Sequence, residues 1–412
     1  MQIYLGKSGG IETYARNLVR ALQDVDAVNE YLLLCTVLNE EAFPLRRSNF
    51  KKIISGKSRA FENMKFKALT AVSAGYRFMD GNIVLRNIKN TVRRGVVKNA
   101  PAPAVKVAGE NRCDIVHYLF SNLPHGRPPG ASSVVLTVVD IQHEYFPEFF
   151  YHSELERRKR EYRESIEKAD HIIAISEFTK KTLVEKYATP MEKISVVYLG
   201  YDSNTYKKLD KDLVEVFRKR YGLPGKFLLY PAATWSHKNH LNLIKAYKIL
   251  KDRYRFDAKL ILTGVKKGNH DLIMNEIKSL GFENEIIYLG YLPYPDLPLL
   301  YNSATLLVFP SLFEGFGMPV VEAMATGLPV VCSNTTSLPE VGGDAAVYFD
   351  PQSPADIADK VFKAYNDAEL RERLVKKGFE HARRFTWENT AKETLKVYEG
   401  IFSDSERRAD TR

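Results

Sequence analysis

The chain has 412 residues, too many for one ordinary hydrophobic core and enough for two domains of about 150–200 residues each. Its composition, 45% hydrophobic and 27% charged, is that of a soluble globular protein. It has no apolar stretch of the roughly 18 residues needed to span a membrane and no signal-peptide pattern at its N-terminus. We therefore expect a cytoplasmic protein, either free or held peripherally at the inner face of a membrane.

Positive charge is concentrated in one stretch. The formal net charge is +10, and residues 45–112 contain sixteen Lys and Arg residues against three acidic ones. Such a stretch indicates an acidic neighbour, such as lipid headgroups, a phosphorylated acceptor or nucleic acid. It is equally typical of a solvated, partly disordered surface.

The three cysteines, Cys35, Cys113 and Cys332, are far apart in or beside apolar runs and form no CxxC pair. This pattern favours buried thiols in a reducing compartment over a metal site or a disulfide.

The first elements are a glycine turn and two apolar patterns. Gly9-Gly10 precedes an amphipathic helix over Ile11–Leu22, and residues 30–37 (EYLLLCTV) are an apolar run of strand length. Only Met1–Leu5 precedes Gly6, the first glycine of the chain, so we expect either a very short first strand or a chain that starts upstream. From residue 46 to 111 the pattern degrades into helical pieces and a loop.

From residue 114 onward short apolar strands alternate with helices. Strands are predicted over Asp114–Tyr118, Ser133–Val139, His171–Ile175, Ile194–Tyr198, Phe227–Pro231, Lys259–Thr263, Ile286–Leu289, Thr305–Phe309 and Pro329–Cys332. Helices are predicted over Leu155–Ala169, Glu177–Tyr187 with Ser176 as its N-cap, Lys238–Lys251, Asp271–Leu280, Pro295–Asn302, Val320–Thr326, Ser353–Asn366 and Ala368–Arg383. Because such alternation forms parallel sheets covered on both faces, the sequence predicts an α/β fold.

The alternation falls into two sets that meet at a polar, turn-rich segment, Gly200–Leu209. We therefore predict two Rossmann-like, doubly wound domains, residues 1–200 and 211–385, joined by a linker at 201–210. Such domains bind ligands at the carboxyl ends of their strands, so two of them facing each other form one cleft.

The most informative segment is residues 309–331, FPSLFEGFGMPVVEAMATGLPVV. A strand ends, a loop with two glycines follows, and Pro319 is placed to begin a helix. Glycines let backbone N–H groups approach an anion, and the helix N-terminus adds partial positive charge, which suits a diphosphate. Glu314 lies in this loop, and Glu322 lies where a carboxylate can accept hydrogen bonds from ribose hydroxyls.

This segment resembles the E-x7-E signature of retaining, GT-B-fold glycosyltransferases of the large sucrose-synthase-like family (glycosyl transferases group 1, family 4). Other segments fit the same family: SGGIETYARNLVRAL (8–22), ADHIIAISEFTKKTLVEKY (169–187), ISVVYLGYD (194–202), YPAATWSHKNHLNLIKAY (230–247), LGYLPYPDLPLLYNSATLLVFPS (289–311) and FTWENTAKETLKVYEGIF (385–402). The resemblance covers nearly the whole chain except about Arg46–Asn111. It implies two Rossmann-like domains facing across a cleft, with a C-terminal helix at 386–402 that crosses back to the first domain.

The resemblance also implies roles for matching residues. Lys238 matches the lysine that neutralises the donor phosphates, Glu314 the glutamate near the transferred sugar, and Glu322 the ribose ligand. The remaining donor-binding positions are the glycine loop Gly9 and Gly10, the base-binding loop Tyr291 and Leu292, and the phosphate-binding backbone of Gly315, Phe316, Gly317 and Met318. An arginine that the family often has before the lysine is absent, and His237 is a candidate for the missing cation.

A second departure lies in the first domain. The family usually has His-Asp where this chain has Val139-Asp140, and a subgroup resembling bacterial mannosyl- and hexosyltransferases has D-x-Q-H-x-x-F-P-E, present here from Asp140 to Glu148. We therefore predict Asp140 and His143 as catalytic residues beside Glu314, although a lone histidine is more often structural. His117, which ends a strand, is equally compatible with a cleft and a core position.

No metal site is predicted. Asp24-Val25-Asp26 is formally a DxD metal motif, but it closes a helix and has no third carboxylate, which favours a turn. No dense Cys/His/Asp cluster is present, and GGIETYA does not match the nicotinamide-binding pattern. We expect no cofactor beyond the donor substrate.

The sequence thus predicts a metal-independent hexosyltransferase with a GDP- or UDP-linked sugar donor, mannose being favoured. Its acceptor would be a glycan or a lipid-linked glycan in surface polysaccharide or glycoconjugate assembly, with an anionic membrane surface as a candidate partner and no nucleic acid expected. Two alternatives stay open: a non-catalytic sugar- or nucleic-acid-binding module on a decayed transferase, and a sugar-nucleotide epimerase of the same architecture.

Overall fold

The computed structural model of the chain describes residues 10–36, 40–55, 113–123 and 131–410. Three predictions lie outside these residues: the first strand over Met1–Leu5, the position of Gly9, and the helical pieces between residues 56 and 112.

The alternation of strands and helices predicted from residue 114 onward is confirmed. The strands are β1 (Tyr31–Thr36), β2 (Phe50–Ser55), β3 (Ile115–Tyr118), β4 (Ser133–Val138), β5 (His171–Ala174), β6 (Ile194–Val196), β7 (Phe227–Pro231), β8 (Lys259–Thr263), β9 (Ile286–Tyr288), β10 (Leu306–Phe309), β11 (Val330–Ser333) and β12 (Ala346–Phe349). The helices are α1 (Gly10–Val25), α2 (His152–Lys168), α3 (Glu177–Tyr187), α4 (Lys211–Tyr221), α5 (His240–Tyr254), α6 (His270–Ser279), α7 (Leu297–Ser303), α8 (Met318–Thr326), α9 (Leu338–Gly342), α10 (Pro354–Asn366), α11 (Ala368–Ala382) and α12 (Trp387–Asp410).

Four elements were not predicted: β2, α4, α9 and β12. β2 has two lysines among its six residues and lies in the basic stretch, where the apolar pattern is weak. β12 and α9 are short, with four and five residues. α4 is strongly charged and follows directly on the turn-rich segment, so its few apolar positions did not stand out.

Strand pairing is parallel wherever its register is defined. β1 pairs with β2, and β3 begins a four-stranded sheet with the order β3-β4-β5-β6. The largest sheet has six strands in the order β12-β11-β10-β7-β8-β9. Counted from β7 as its first strand, this is the 3-2-1-4-5-6 order of a Rossmann sheet, whose strand order reverses between β7 and β10.

The core of the six-stranded sheet is built from its central strands. Phe227 to Tyr230 in β7 and all four residues of β10 have no exposed surface. Helices of this part of the chain, such as α5 and α10, pack on one another as well as on the sheet. Strands buried on both faces must be continuously apolar, which is why these runs were recognisable in the sequence.

The chain divides into two compact units. Unit 1 consists of Met1–Thr137, Glu164–Ile172 and Ala391–Arg412, and unit 2 consists of Val138–Arg163 and Ile173–Thr390. Gly10 belongs to unit 1, whereas the acidic and basic side chains of the predicted site all belong to unit 2. The predicted domain boundaries at 200, 211 and 385 stay a prediction.

None of the helices in the part of the chain that the structure describes is both long and apolar enough to cross a lipid bilayer. Cys35 and Cys332 are buried free thiols, and Cys113 is a partly exposed one.

Candidate active site

The candidate site lies at the carboxyl edge of the six-stranded sheet. β7 and β10 are neighbours, and the loops that leave them diverge because the strand order reverses between them. The loop after β7 leads to Lys238, and the loop after β10 leads to Glu314. Lys238 Nζ donates to Glu314 Oε1 at 2.5 Å, and the two side chains are 18% and 13% exposed. The structure thus joins the predicted phosphate ligand and the predicted sugar-side carboxylate in one ion pair.

The backbone of Lys238 is held by buried polar contacts. A single 3-10 turn, Ser236–Lys238, ends at Asn239, whose φ of 59° lies in the left-handed region that asparagine tolerates. The Asn239 side-chain amide donates to Pro310 O at 3.0 Å and Pro351 O at 2.8 Å. Tyr230 OH donates to Lys238 O at 2.5 Å. These bonds tie the lysine to both neighbouring loops.

A second carboxylate, Asp140, lies against the glutamate loop. A Cβ atom on Gly315 would lie 2.0 Å from Val139 O and 3.2 Å from Asp140 Cβ, so only glycine allows this approach. Burial raises the pKa of Asp140, and the charge of Glu314 adds to the rise, whereas the Gln142 amide, Arg158 and Lys238 oppose it. The carboxylates of Asp140 and Glu314 therefore both interact with the charge of Lys238.

The N-terminus of α8 supplies an anion-binding backbone. Gly317, with a φ of 107°, precedes the helix, and Pro319 occupies its first turn as predicted. Within the described chain no side chain accepts from the first amides of this helix at its N-cap. The amides at the start of α8 and the helix dipole create a partial positive charge there.

Glu322 lies one turn further along α8 and faces two tyrosines. Tyr301 OH donates to Glu322 Oε2 at 2.9 Å, and Tyr206 also donates to this carboxylate. Burial raises the pKa of Glu322 from 4.5 to about 7, against the opposing effect of both tyrosine hydrogen bonds. Glu322 is therefore a carboxyl group that can change protonation near neutral pH.

The predicted base-binding loop follows β9 at the same edge of the sheet. Gly290, with a φ of 74°, accepts hydrogen bonds through its carbonyl from Gly264 N at 2.9 Å and Thr263 Oγ1 at 2.6 Å. These bonds fix the turn that presents Tyr291, which is 63% exposed, while Leu292 is buried.

His143 lies in the 3-10 turn Gln142–Glu144, which follows Asp140. Its side chain has no exposed surface; Nε2 is 3.2 Å from Tyr187 OH and 3.7 Å from Glu144 Oε1. Its ring meets that of Tyr162 edge-on at 4.6 Å. Burial lowers the pKa of His143 to about 4, so the ring is neutral at neutral pH. The partners of His143 are therefore Tyr187 of α3, Tyr162 of α2 and the neighbouring Glu144.

Two further histidines have well-defined surroundings. Burial lowers the pKa of His237 to about 2, with the charge of Lys238 adding to the effect, so this ring supplies no second positive charge at neutral pH. In unit 1, His117 Nδ1 is 2.6 Å from Tyr398 OH and its Nε2 is 2.8 Å from Thr137 Oγ1. Burial lowers the pKa of His117 to about 3. Both ring nitrogens of this partly buried histidine therefore have hydrogen-bond partners.

The DxD motif forms a turn, as the sequence analysis favoured. α1 ends at Val25, and the Asp26 carboxylate accepts from Val28 N at 2.8 Å and Asn29 N at 3.2 Å. Across the described ranges, no group of three or more His, Cys, Asp or Glu side chains is arranged to hold a metal ion.

Sequence reasoning missed a set of hydroxyl groups behind the glutamate loop. Thr336 and Ser337, which follow β11, form hydrogen bonds with the backbone of residues 314 to 316. Ser176 was predicted only as a helix cap, yet its hydroxyl also donates to Gly315 O. The only signal in the sequence is the hydroxyl-rich run after a buried strand, SNTTS (333–337), which is equally typical of an ordinary loop.

A parallel Rossmann sheet with a phosphate-suited crevice at its switch point is the architecture of nucleotide-binding α/β enzymes. The model described as "Glycosyl transferases group 1" matches residues 215–381, and the model described as "Glycosyltransferase Family 4" matches residues 80–205. The O-antigen chain mannosyltransferase B of Escherichia coli is 31% identical over 285 residues, which are 69% of this chain and 75% of that protein.

Two other proteins show the extent of the similarity. The serotype-specific mannosyltransferase WbdA of Escherichia coli is 30% identical over 244 residues, which are 58% of this chain but only 30% of that longer protein. The crystal structure of Anabaena HepE in complex with UDP-glucose superposes with a TM-score of 0.69, covering 97% of this chain and 98% of that chain at 18% sequence identity. The chain belongs to the glycosyl transferases group 1, family 4, and is a glycosyltransferase with the GT-B fold.

Proposed function

We propose that the chain transfers a hexose, with mannose favoured, from a nucleoside-diphosphate sugar to a glycan or lipid-linked acceptor with retention of configuration. The observation that carries the proposal is the Lys238–Glu314 pair beside the uncapped N-terminus of α8, at the switch point of the six-stranded sheet. This group of charges and amide dipoles suits a diphosphate that leaves from a sugar.

The leaving diphosphate is negatively charged, so the proposal requires positively charged or dipolar groups that stabilise it. Lys238 offers a point charge, and the backbone of Gly315, Phe316, Gly317 and Met318 offers amide dipoles at a helix N-terminus. Both are held in place before a ligand arrives, so little reorganisation is required when charge develops on the leaving diphosphate. Binding of the diphosphate would compete with Glu314 for the Lys238 ammonium group.

The reaction exchanges one bond at the anomeric carbon of the sugar. The bond to the diphosphate oxygen breaks, a bond to the acceptor hydroxyl oxygen forms on the same face, and the hydroxyl proton passes to the departing diphosphate. The oxocarbenium-like centre between these steps is positively charged. Glu314 and Asp140 are the carboxylates near Lys238, and we assign them the role of stabilising this positively charged centre.

We assign the remaining residues by their surroundings. Glu322, with its raised pKa, would accept hydrogen bonds from ribose hydroxyls, and the Tyr291–Leu292 turn would hold the base. The assignment of Gly9 and Gly10 to donor binding stays a prediction from the sequence. His143 would support the loop after Asp140 through Tyr187 and Glu144, because its ring has no exposed surface.

The choice of sugar and acceptor rests on the relatives. The names of two similar proteins specify mannosyl transfer, one to an O-antigen chain. These names support a mannose donor and an acceptor in surface polysaccharide assembly. Pocket shape around the sugar decides between hexoses, because one hydroxyl placed differently changes which buried groups find a hydrogen-bond partner.

The test is a thermal-unfolding screen of the wild-type chain against UDP, GDP and their sugars, followed by assay of transfer from the donor that binds. A ligand that binds only the native state raises the unfolding temperature. At a ligand concentration 100 times its Kd, the free energy of unfolding increases by roughly 2.7 kcal/mol. GDP and GDP-mannose are the expected ligands. A response to none of these nucleotides would contradict the proposal.

Site variants then separate function from folding. Lys238→Ala and Glu314→Ala should abolish transfer while the unfolding temperature stays close to that of the wild type. Lys251→Ala is the matched control. Lys251 forms a similar partly buried ion pair with Glu285 at 3.1 Å, and Glu285 directly precedes β9, at the amino end of the strands and away from the site. Full activity of Lys238→Ala or Glu314→Ala would remove the site assignment.

A further inference from the structure

Three hydroxyl side chains form the shortest side-chain hydrogen bonds to the backbone of residues 314 to 316, in the loop that contains Glu314; Thr179 Oγ1, 3.4 Å from Gly315 O, is a longer fourth. Thr336 and Ser337 come from the segment between β11 and α9, and Ser176 comes from the start of α3. Ser176 and Ser337 have no exposed surface, so their hydrogen bonds are not shared with bulk water. Each of these groups contacts the backbone of the loop, and none of them was assigned a part in the proposed function.

Ser337 lies behind two carbonyl groups of the loop. Its Oγ is 3.0 Å from Glu314 O and 2.9 Å from Phe316 O, so its single proton is shared between two acceptors. Ser337 also occupies the N-cap position of α9, where a serine hydroxyl normally accepts from a helix amide, yet it forms no such capping bond. The hydroxyl serves the loop instead of its own helix.

Ser176 holds the carbonyl between these two. Its Oγ donates to Gly315 O at 2.7 Å and accepts from Thr179 N at 3.0 Å. The start of α3 is itself anchored, because the Glu340 carboxylate accepts from Glu177 N at 2.6 Å and Phe178 N at 3.0 Å. Three successive carbonyl groups, those of residues 314, 315 and 316, therefore each accept from a serine hydroxyl.

Thr336 completes the arrangement at a cost in backbone energy. Its φ is 57°, a left-handed conformation that is unusual for a β-branched residue. In this conformation its Oγ1 accepts from Glu314 N at 3.2 Å. A strained residue persists only where its surroundings hold it, and such residues cluster at functional sites.

These contacts determine where the loop amides point. In a planar trans peptide the N–H group is directed opposite to the carbonyl of the preceding residue. Because each carbonyl of residues 314 to 316 is held by a serine hydroxyl, the N–H group of the residue that follows, Gly315, Phe316 or Gly317, is directed away from that hydroxyl. Those amides are the ones that the proposed function assigns to the diphosphate.

We propose that Ser176, Thr336 and Ser337 are positioning residues that orient the amides of residues 315 to 317 for a nucleoside diphosphate. The proposal rests on the proposed function, because it concerns the affinity of the same diphosphate site. Its specific consequence is that the three hydroxyls contribute to binding of the diphosphate and not to binding of the nucleoside.

The experiment measures Kd for GDP and guanosine, and for UDP and uridine, by isothermal titration with the full chain. For Ser176→Ala and Ser337→Ala we expect Kd for the diphosphate to rise about 3- to 10-fold, the loss of roughly one net hydrogen bond each. Nucleoside affinity should stay within about twofold. Ser333→Ala is the matched control: its buried hydroxyl donates to Phe309 O at 3.3 Å, outside the loop, and both ligands should bind it as they bind the wild type.

Thr336→Gly is the second variant and covers the case in which a serine variant fails to fold. Glycine adopts the left-handed conformation without strain, so the unfolding temperature should stay level or rise even though a hydroxyl is lost. A merely structural role predicts that ligand affinity follows stability. We instead expect weaker diphosphate binding in a chain that is no less stable.

The outcomes separate the two proposals. If the wild type binds neither GDP nor UDP, the proposed function fails. If the wild type binds a diphosphate and the variants keep the wild-type ratio of diphosphate to nucleoside affinity, the proposed function stands and the positioning role is wrong.

Discussion

At the scale of single residues, the site depends on close backbone approach as much as on charge. Gly315 touches Val139 O, and Gly317 supports the entry to α8 in a left-handed conformation. A side chain at either position would have to displace its neighbours. Glycine is therefore required at the two positions for different reasons. At Gly315 there is no room for a side chain, and at Gly317 both the lack of room and the positive φ exclude one.

Gly315→Ala is expected to abolish transfer and to lower stability by about 1–3 kcal/mol, because the added Cβ would lie 2.0 Å from Val139 O, a backbone atom that cannot rotate away. Gly225→Ala is the control, since a Cβ there meets no atom within 4 Å. Activity assays and denaturant unfolding check both. Normal activity of Gly315→Ala would show that the two segments do not pack as described.

Glu322 makes stability depend on pH. Burial raises its pKa in the folded chain from 4.5 to about 7, so the native state binds a proton more tightly than the unfolded state does. Stability from this group is full below pH 4.5 and is lost as the pH rises from 4.5 through about 7. The shift corresponds to a loss on the order of 3 kcal/mol.

Glu322→Gln keeps a neutral hydrogen-bonding side chain and should flatten this part of the pH profile. The measurement is denaturant unfolding of both proteins at intervals between pH 4.5 and 8. Equal slopes for the two proteins would mean that Glu322 does not titrate as expected. The variant should also bind the nucleotide more weakly, since an amide is a poorer acceptor for ribose hydroxyls than a carboxylate.

At the scale of elements, the short 3-10 turn between β7 and α5 determines where Lys238 lies. Asn239 ends the turn in the left-handed region, and its amide bridges Pro310 O and Pro351 O, in the loops that follow β10 and β12. One side chain thus links three loops at the carboxyl edge of the sheet. The position of the lysine is a property of this junction and not of the lysine itself.

Asn239→Gly and Asn239→Ala separate the two contributions of this residue. Glycine loses both hydrogen bonds but accepts the φ of 59°, and alanine also incurs left-handed strain. We expect stability losses of about 1–3 kcal/mol for glycine and roughly 1 kcal/mol more for alanine. In both variants KM for the donor should rise. An unchanged KM would show that the junction does not position Lys238.

At the scale of the whole molecule, the uneven charge of the chain predicts a surface interaction. The net charge is +10, while residues 45–112 alone carry sixteen basic and three acidic residues. Polybasic segments are attracted to anionic lipid by about 1 kcal/mol per basic residue near the surface. Such an attraction would bring the chain close to a lipid-linked acceptor in the membrane.

The chain should therefore sediment with vesicles that contain anionic phospholipid and not with neutral vesicles, and binding should weaken as salt screens the charges. Replacing several basic residues between 45 and 112 by glutamine should remove binding and leave GDP affinity unchanged. Absence of binding to anionic vesicles even at low salt would contradict the membrane prediction.

The sequence by itself determined the α/β class, most strand and helix positions and the glycine-rich E-x7-E segment, because these depend on local patterns. Buried parallel strands must be continuously apolar, and a phosphate loop needs glycines before a helix start. Lys238, Glu314 and Glu322 were predicted as site residues because the segments that contain them, residues 230–247 and 309–331, resemble the family. The weakly patterned elements β2, α4, α9 and β12 lacked such a signal.

Only the tertiary structure decided which groups meet. Gly315 meets Val139, and the hydroxyls of Ser176, Thr336 and Ser337 bond the backbone of the Glu314 loop. His143 is buried against Tyr187 and Tyr162. These contacts join residues far apart in the chain. Burial and hydrogen bonding across such distances leave no periodic trace in a single sequence. From the sequence alone, a serine whose hydroxyl bonds a distant loop cannot be distinguished from a serine that only caps a helix.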